Sequence, residues 1–128
     1  MLIAAVSKGH IRVIRELQRT WLLVPEDARE LGNRALYSAA KYGRVRVLRE
    51  FRRNWSLNHT DVYTYNHHAL AFAVVNEHVN VLRELRRHWY LNVEDAYPRI
   101  NDLMPSLLQK GYTDVLRELE DNWIQKPV

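Results

Sequence analysis

Four tryptophans, Trp21, Trp55, Trp89 and Trp123, stand 34 residues apart, and the rest of the chain falls into register with them without a gap. A fixed period of this length means one supersecondary unit written four times, each unable to bury its apolar face alone and so stacked on its neighbours. Val13, Val47, Val81 and Val115 form one apolar column; Ile14, Leu48, Leu82 and Leu116 the next; Leu17, Phe51, Leu85 and Leu119 a third. Two charged columns are invariant: Arg15, Arg49, Arg83 and Arg117, followed by Glu16, Glu50, Glu84 and Glu118. With no Cys in the chain, disulfides and thiolate metal sites are excluded, so such an array must hold by packing. The expected organisation is a single repeat domain, 1–128, of units 1–34, 35–68, 69–102 and 103–128.

Within each unit the positions equivalent to 14, 17 and 21 recur at helical spacing with polar residues between them, which predicts an amphipathic helix of about three turns. A shorter apolar segment precedes it, as in Ala35-Leu-Tyr-Ser-Ala-Ala-Lys-Tyr, where the small side chains of Ala39 and Ala40 let a second helix approach closely. Gly9, Gly43 and Gly111 fall between the two helices, where the chain turns back and positive φ is useful; Glu77 in the third unit implies a different or a strained turn. After each Trp, the runs Leu23-Val-Pro-Glu-Asp-Ala, Leu57-Asn-His-Thr-Asp-Val and Leu91-Asn-Val-Glu-Asp-Ala look like the first turn of a short helix, with carboxylates near its N-terminus. No alternation or Asn-Gly signal predicts a hairpin, so the class expected is all-α.

The second unit, through Leu36, Ala39, Ala40, Gly43, Val47, Leu48 and Phe51, resembles the helix-loop-helix core of ankyrin repeats. Leu2, Ala5, Gly9, His10, Val13, Ile14 and Leu17 carry the same resemblance in the first unit, and Leu70, Ala73, His78, Val81, Leu82 and Leu85 in the third. The fourth keeps Met104, Gly111, Val115, Leu116 and Leu119. The period is one residue longer than the usual ankyrin repeat, a Trp stands where that family closes its second helix with Gly, and Arg34-Ala35 and His68-Ala69 replace the Thr-Pro start. The Val-Leu-Arg-Glu-Leu phrasing is similar to that of divergent ankyrin-type repeats from giant DNA viruses of amoebae. The resemblance implies an ankyrin-like helical solenoid in which short helices or turns replace the β-hairpin fingers. It also implies a concave face lined by exposed positions of the first helices.

The candidate partner-binding residues on that face are Lys8, Arg34, Tyr37, Lys41, Tyr42, His68, Phe72, Asn76 and Lys110, which vary between units while the packing columns stay constant. Aromatics there supply contact area at low entropic cost. Arg12, Arg19, Arg44, Arg46, Arg52, Arg53, Arg86 and Arg87 make a basic stripe that could follow a phosphate backbone, although a solvated face is the plainer reading. In the fourth unit Asp114, Glu118, Glu120 and Asp121 reverse that charge and read as a polar cap. The Trp column reads as packing between units, not as a stacking platform. The invariant Arg and Glu read as a charge ladder between units, with Arg15 meeting Glu50 or Glu16 meeting Arg49, worth little per pair at a surface. Leu2, Ile3 and Val6 have no earlier unit to cover them and are the residues expected at a homodimer contact.

Six histidines do not form a ligand pattern: His10 and His78 suit a local hydrogen bond in the turn, and His67 and His68 are adjacent and point apart. No nucleophile elbow, Gly-rich phosphate loop or paired carboxylates in a defined context occur, so neither an enzyme nor a cofactor or metal is expected. The apolar start, Met1 to Val6, is too short and lacks the basic flank of a signal peptide, and no stretch reaches bilayer length. An intracellular location follows as the expectation, in a host cell or virion if the viral likeness holds. A net charge of +4 permits nucleic acid without demanding it. The leading expectation is a non-enzymatic scaffold for a protein partner, with nucleic acid as the alternative and no membrane.

Overall fold

The computed structural model describes residues 2–123, and these form nine helices and no strand. They are α1 (Leu2–Lys8), α2 (Ile11–Arg19), α3 (Pro25–Lys41), α4 (Val45–Asn54), α5 (His59–Val62), α6 (Thr64–Val75), α7 (Val79–His88), α8 (Val93–Lys110) and α9 (Thr113–Asn122). Helices α1, α3, α6 and α8 pack in chain order as one row, and α2, α4, α7 and α9 form a second row laid against it. One apolar core runs through both rows. The part of the fourth unit beyond residue 123 lies outside the described residues.

The rows follow from the columns. In α4, Val47, Leu48 and Phe51 point inward while Arg46, Arg49 and Arg53 stay in water, and α7 repeats the pattern with Val81, Leu82 and Leu85. Ala39, Ala40 and Ala73 have no exposed surface, which allows α3 and α6 to lie close. The segment after Trp21, Trp55 and Trp89 does become helical: it opens α3 and α8 directly and stands apart as α5 between them. Its recurring Asp explains its start, because Asp27 and Asp61 accept hydrogen bonds from the backbone N–H of Val24 and Asn58, at 2.7 and 2.9 Å. Asn58 and Asn92 cap the same turns, accepting from Thr60 and Glu94 N–H.

All four first-row helices end in the same way. The N–H of His10, Arg44, His78 and Tyr112 each donates to a carbonyl five residues back, of Ala5, Ala39, Ala73 and Leu107, across a residue with φ near +70° or +61°. Glu77 therefore makes the glycine turn without a glycine, at φ 61°, and of the two alternatives set by the sequence it is the strained one that the fold adopts. A non-glycine residue held there costs about 1–2 kcal/mol. Glu77→Gly is expected to raise unfolding free energy by about 1 kcal/mol, part of the released strain being offset by the greater freedom of glycine in the unfolded chain. Urea unfolding checks this, and a loss of stability would refute it.

Between the second-row helices runs a ladder of ion pairs. Arg15, Arg49 and Arg83 donate through Nε to Glu50, Glu84 and Glu118 of the next unit at 2.9, 2.7 and 3.0 Å. Of the two pairings open to the sequence, this is the one that forms. Glu16 stays on its own helix, bonded to Thr20 and Arg19, and these two contacts, in that order, hold its carboxyl below the usual carboxylate range. The ladder is not the surface device expected, because the side chains of Glu50, Glu84 and Glu118 are only 3, 1 and 2% exposed while the arginines remain about half in water. Asn54 and Asn122 complete their carboxylates from one turn away, at 2.7 and 2.6 Å. His88 stands in that column in the third unit, and there the second oxygen of Glu84 is left without a hydrogen bond, with Arg52 at 4.0 Å.

The first unit breaks the burial pattern on one side. Trp55, Trp89 and Trp123 are buried, whereas Trp21 is 65% exposed, and Val13 is 44% exposed where Val47, Val81 and Val115 are buried. Each Trp and Val of these columns is covered by the preceding unit, so the first pair has no cover among the described residues. Val6, expected at an open dimer surface, is instead fully buried, because its column faces the following unit, where Ala40 and Val74 are equally enclosed. Leu2 and Ile3 are half-buried against the core.

Candidate functional site

Five of the nine residues read from the sequence as one binding face, Tyr37, Lys41, Tyr42, His68 and Phe72, come together on α3 and α6. The Tyr37 ring lies 4.7 Å from His68 and 5.3 Å from Phe72, and His68 stacks on Phe72 at 4.6 Å. Lys41 completes the group, its Nζ 5.3 Å from the Phe72 ring and 5.5 Å from that of Tyr42. The helices position these side chains simply: Tyr37 and Lys41 are one turn apart on α3, and His68 and Phe72 one turn apart on α6. Tyr37, Lys41, His68 and Phe72 are half-buried and Tyr42 is exposed, so the cluster is anchored at its base and open at its rim. Tyr65 extends it, exposed and edge-on to His68 at 6.2 Å. Its signal in the sequence was its place one turn before His68.

Other members of the predicted face lie apart from this cluster. Lys8 and Arg34 are exposed at the end of α1 and within α3. Asn76 is engaged by its own helix, donating to the Phe72 carbonyl at 2.8 Å, and Lys110 lies over Tyr112 in the fourth unit at 5.7 Å.

The second row presents arginine-lined grooves between successive helices. One is formed by Ile11, Arg15, Arg46, Arg49, Arg53 and Asn54 with the buried Glu50, and the next by Val45, Arg49, Asn80, Arg83, Arg87 and His88 with the buried Glu84. A third, between α7 and α9, mixes Arg83, Arg86, Arg87 and Arg117 with Asp114 and Asp121. The predicted basic residues are not equivalent. Arg12, Arg46, Arg53 and Arg87 are exposed and have no acidic partner among the described residues. Arg19 pairs with Glu16, and Arg44 donates to the Ser7 carbonyl at 2.9 Å. Arg52 and Arg86 are about three-quarters covered and lean on the buried Glu84 and Glu118 at 4.0 and 3.9 Å, which withdraws them from the stripe.

The histidines take structural places. His78 was expected to serve its own turn, but its Nε2 lies 2.8 Å from the carbonyl of Lys41 in the preceding unit, the place Arg44 takes one unit earlier. This carbonyl is otherwise a free acceptor at a helix end. His67 is buried, its ring edge-on to Tyr63, and burial pushes its pKa below the ordinary 6.5 against the opposing pull of Asp95. Above 6.5 the group is neutral in both folded and unfolded chains and contributes no pH dependence. As pH falls through 6.5 the unfolded chain binds a proton the folded one resists, so stability drops until the lowered folded value is passed. His67→Asn, which places there the residue of the equivalent position 33 and tolerates the local φ of 61°, is expected to remove this acid-side loss. Thermal midpoints of both chains from pH 7.5 down to about 5 test it; parallel curves would exclude His67 as the cause.

One polar network went unnoticed in the sequence. Asp61, buried, accepts from Arg29 Nε at 2.8 Å and from Asn33 Nδ2 at 3.2 Å, and Asn33 also donates to Thr64 Oγ1 at 3.0 Å. The Asp61 contact holds the Arg29 guanidinium above its ordinary pKa. These bonds join the linker of one unit to that of the next, parallel to the Arg-Glu ladder. Among the described residues no group of three or more His, Asp or Glu converges as metal ligands would, and no helix is long and apolar enough to cross a membrane.

No family model, curated protein or solved structure matches this chain.

Proposed function

We propose that this chain is a non-enzymatic scaffold of ankyrin-like repeats that binds a protein partner through the first-row helices. The observation that carries the reading is the cluster of Tyr37, His68, Phe72, Lys41 and Tyr42, half-buried at its base, open at its rim and spanning two units. Rigid aromatics fixed by stacking lose little freedom on binding, and one adjacent cation gives them polarity and direction. The ankyrin-like reading is supported by the shared turn at the end of every first-row helix and by the two-row order of helices.

The test uses Lys41→Ala with Tyr42→Ala, on residues that contribute little to the core. Proteins captured from the native cell by the wild-type chain are quantified against those captured by the double variant. The partner set should be lost while the thermal midpoint is unchanged; an unchanged set overturns the assignment of this face.

The arginine grooves of the second row favour a second reading, binding of a nucleic-acid backbone through Arg12, Arg46, Arg53 and Arg87. Random-sequence DNA and RNA titrated at several salt concentrations decide it. A steep salt slope supports this reading, and no binding at low salt removes it.

A further inference from the structure

We infer that the groove between α2 and α4 is a binding site for a linear oligophosphate, a short chain of linked phosphates such as a triphosphate. Arg46, Arg49 and Arg53 stand at helical spacing on one face of α4, and Arg15 joins them from α2 around an open hollow of about 260 Å³. Seven residues of helix span about 10 Å, so the guanidinium groups form a row and not a single point, which suits linked phosphates better than an isolated one. Arg46 and Arg53 are exposed and have no hydrogen bond or ion pair among the described residues.

The ladder prepares the other two arginines. Arg15 and Arg49 each donate through Nε to a buried carboxylate, Glu50 at 2.9 Å and Glu84 at 2.7 Å, while their terminal nitrogens make no hydrogen bond among the described residues. Both side chains remain about half in water. A guanidinium held by one edge loses little freedom when its other edge meets a phosphate. The floor of the groove does not oppose an anion, because the carboxylate of Glu50 is buried and satisfied, one oxygen by Arg15 and the other by Asn54 at 2.7 Å.

Among the described residues neither of the other arginine grooves combines these features. Between α4 and α7 the floor carboxylate, Glu84, keeps one oxygen without a hydrogen bond, and between α7 and α9 Asp114 and Asp121 stand among the arginines. The exposed columns change in the same direction: Arg12, Arg46, Asn80 and Asp114 in one, Arg19, Arg53, Arg87 and Asp121 in the other. Positive charge is thus concentrated about one junction and reversed two junctions on, which favours a compact anion over a polymer laid along the row. The site shares Arg46 and Arg53 with the nucleic-acid reading but does not depend on it.

The test is isothermal titration calorimetry with sodium tripolyphosphate, free of divalent cations and at about 0.15 M ionic strength, where diffuse surface attraction is largely screened. Saturable binding to the natural chain is expected, weakened about fivefold or more by Arg46→Gln and by Arg53→Gln. Arg53→Lys, which keeps the charge but not the fork of donors, should weaken it nearly as much, and Arg87→Gln, outside this groove, by less than about twofold. All four substitutions are at exposed side chains, and circular dichroism verifies the folding of each variant. ATP separates the sources: tighter binding than tripolyphosphate assigns a nucleotide, and equal or weaker binding the free chain of phosphates. No saturable binding of either ligand overturns the inference, as does an equal loss in Arg87→Gln, which would mark diffuse charge. Random-sequence DNA and RNA titrated in parallel keep the two readings apart. Nucleic acid bound and both oligophosphates ignored leaves only the nucleic-acid reading, and the reverse leaves only this site.

Discussion

Replacing Trp55 by Ala is expected to cost about 3–5 kcal/mol of unfolding free energy, and the same change at Trp21 less than about 1 kcal/mol. The two residues occupy one column and one kind of helix end, yet Trp55 has no exposed surface and Trp21 is 65% exposed. Trp55 also meets Phe51 edge to face at 5.7 Å, so truncation opens a cavity where two aromatics had met. The indole N–H of Trp55, Trp89 and Trp123 has no acceptor among the described residues, so these side chains act through volume and not through a hydrogen bond. Urea unfolding of both variants measures the contrast. Equal losses would mean that burial by the preceding unit is not what the Trp column contributes.

The ladder carries the second large effect, and its two partners are not expected to be equal. Arg49→Met removes the cation 2.7 Å from a carboxylate that is 1% exposed, leaving Arg52, 4.0 Å away, as its nearest cation. An uncompensated buried charge of this kind costs about 2–4 kcal/mol. Glu84→Gln keeps the volume, removes the buried charge and leaves Arg49 free to hydrate, at a cost of about 1 kcal/mol. The double variant is therefore expected to be more stable than Arg49→Met alone, the second substitution relieving what the first creates. Unfolding free energies of the three chains test this. An Arg49→Met loss no larger than that of Glu84→Gln would show that the ladder behaves as an exposed ion pair after all.

Much of this arrangement could be read before any coordinates. The period, the apolar columns, the two-helix unit and the post-Trp helix follow from side-chain chemistry at fixed spacing, because a helix presents the same face every 3.6 residues. The aromatic cluster was legible as a set of positions, Tyr37, His68 and Phe72, but not as a stack, since the ring geometry depends on how closely α3 and α6 approach. The linker network of Arg29, Asn33 and Asp61 was not legible, as its partners lie 28 to 32 residues apart and only docking brings them together.

Sequence alone, then, determined that the chain is helical, that it repeats, and which columns pack, because these depend on local preference and on periodicity. Tertiary structure decided what the same residue means at each end. Trp21 and Trp55 share a column, as do Val6 and Leu108, and Arg-Glu is one repeated dipeptide, yet exposure, burial and pairing differ along the array. A repeat is uniform in its sequence columns, but burial and electrostatic cost depend on which neighbours are present. Only the stacked chain reveals that the buried half of the ladder is the glutamate.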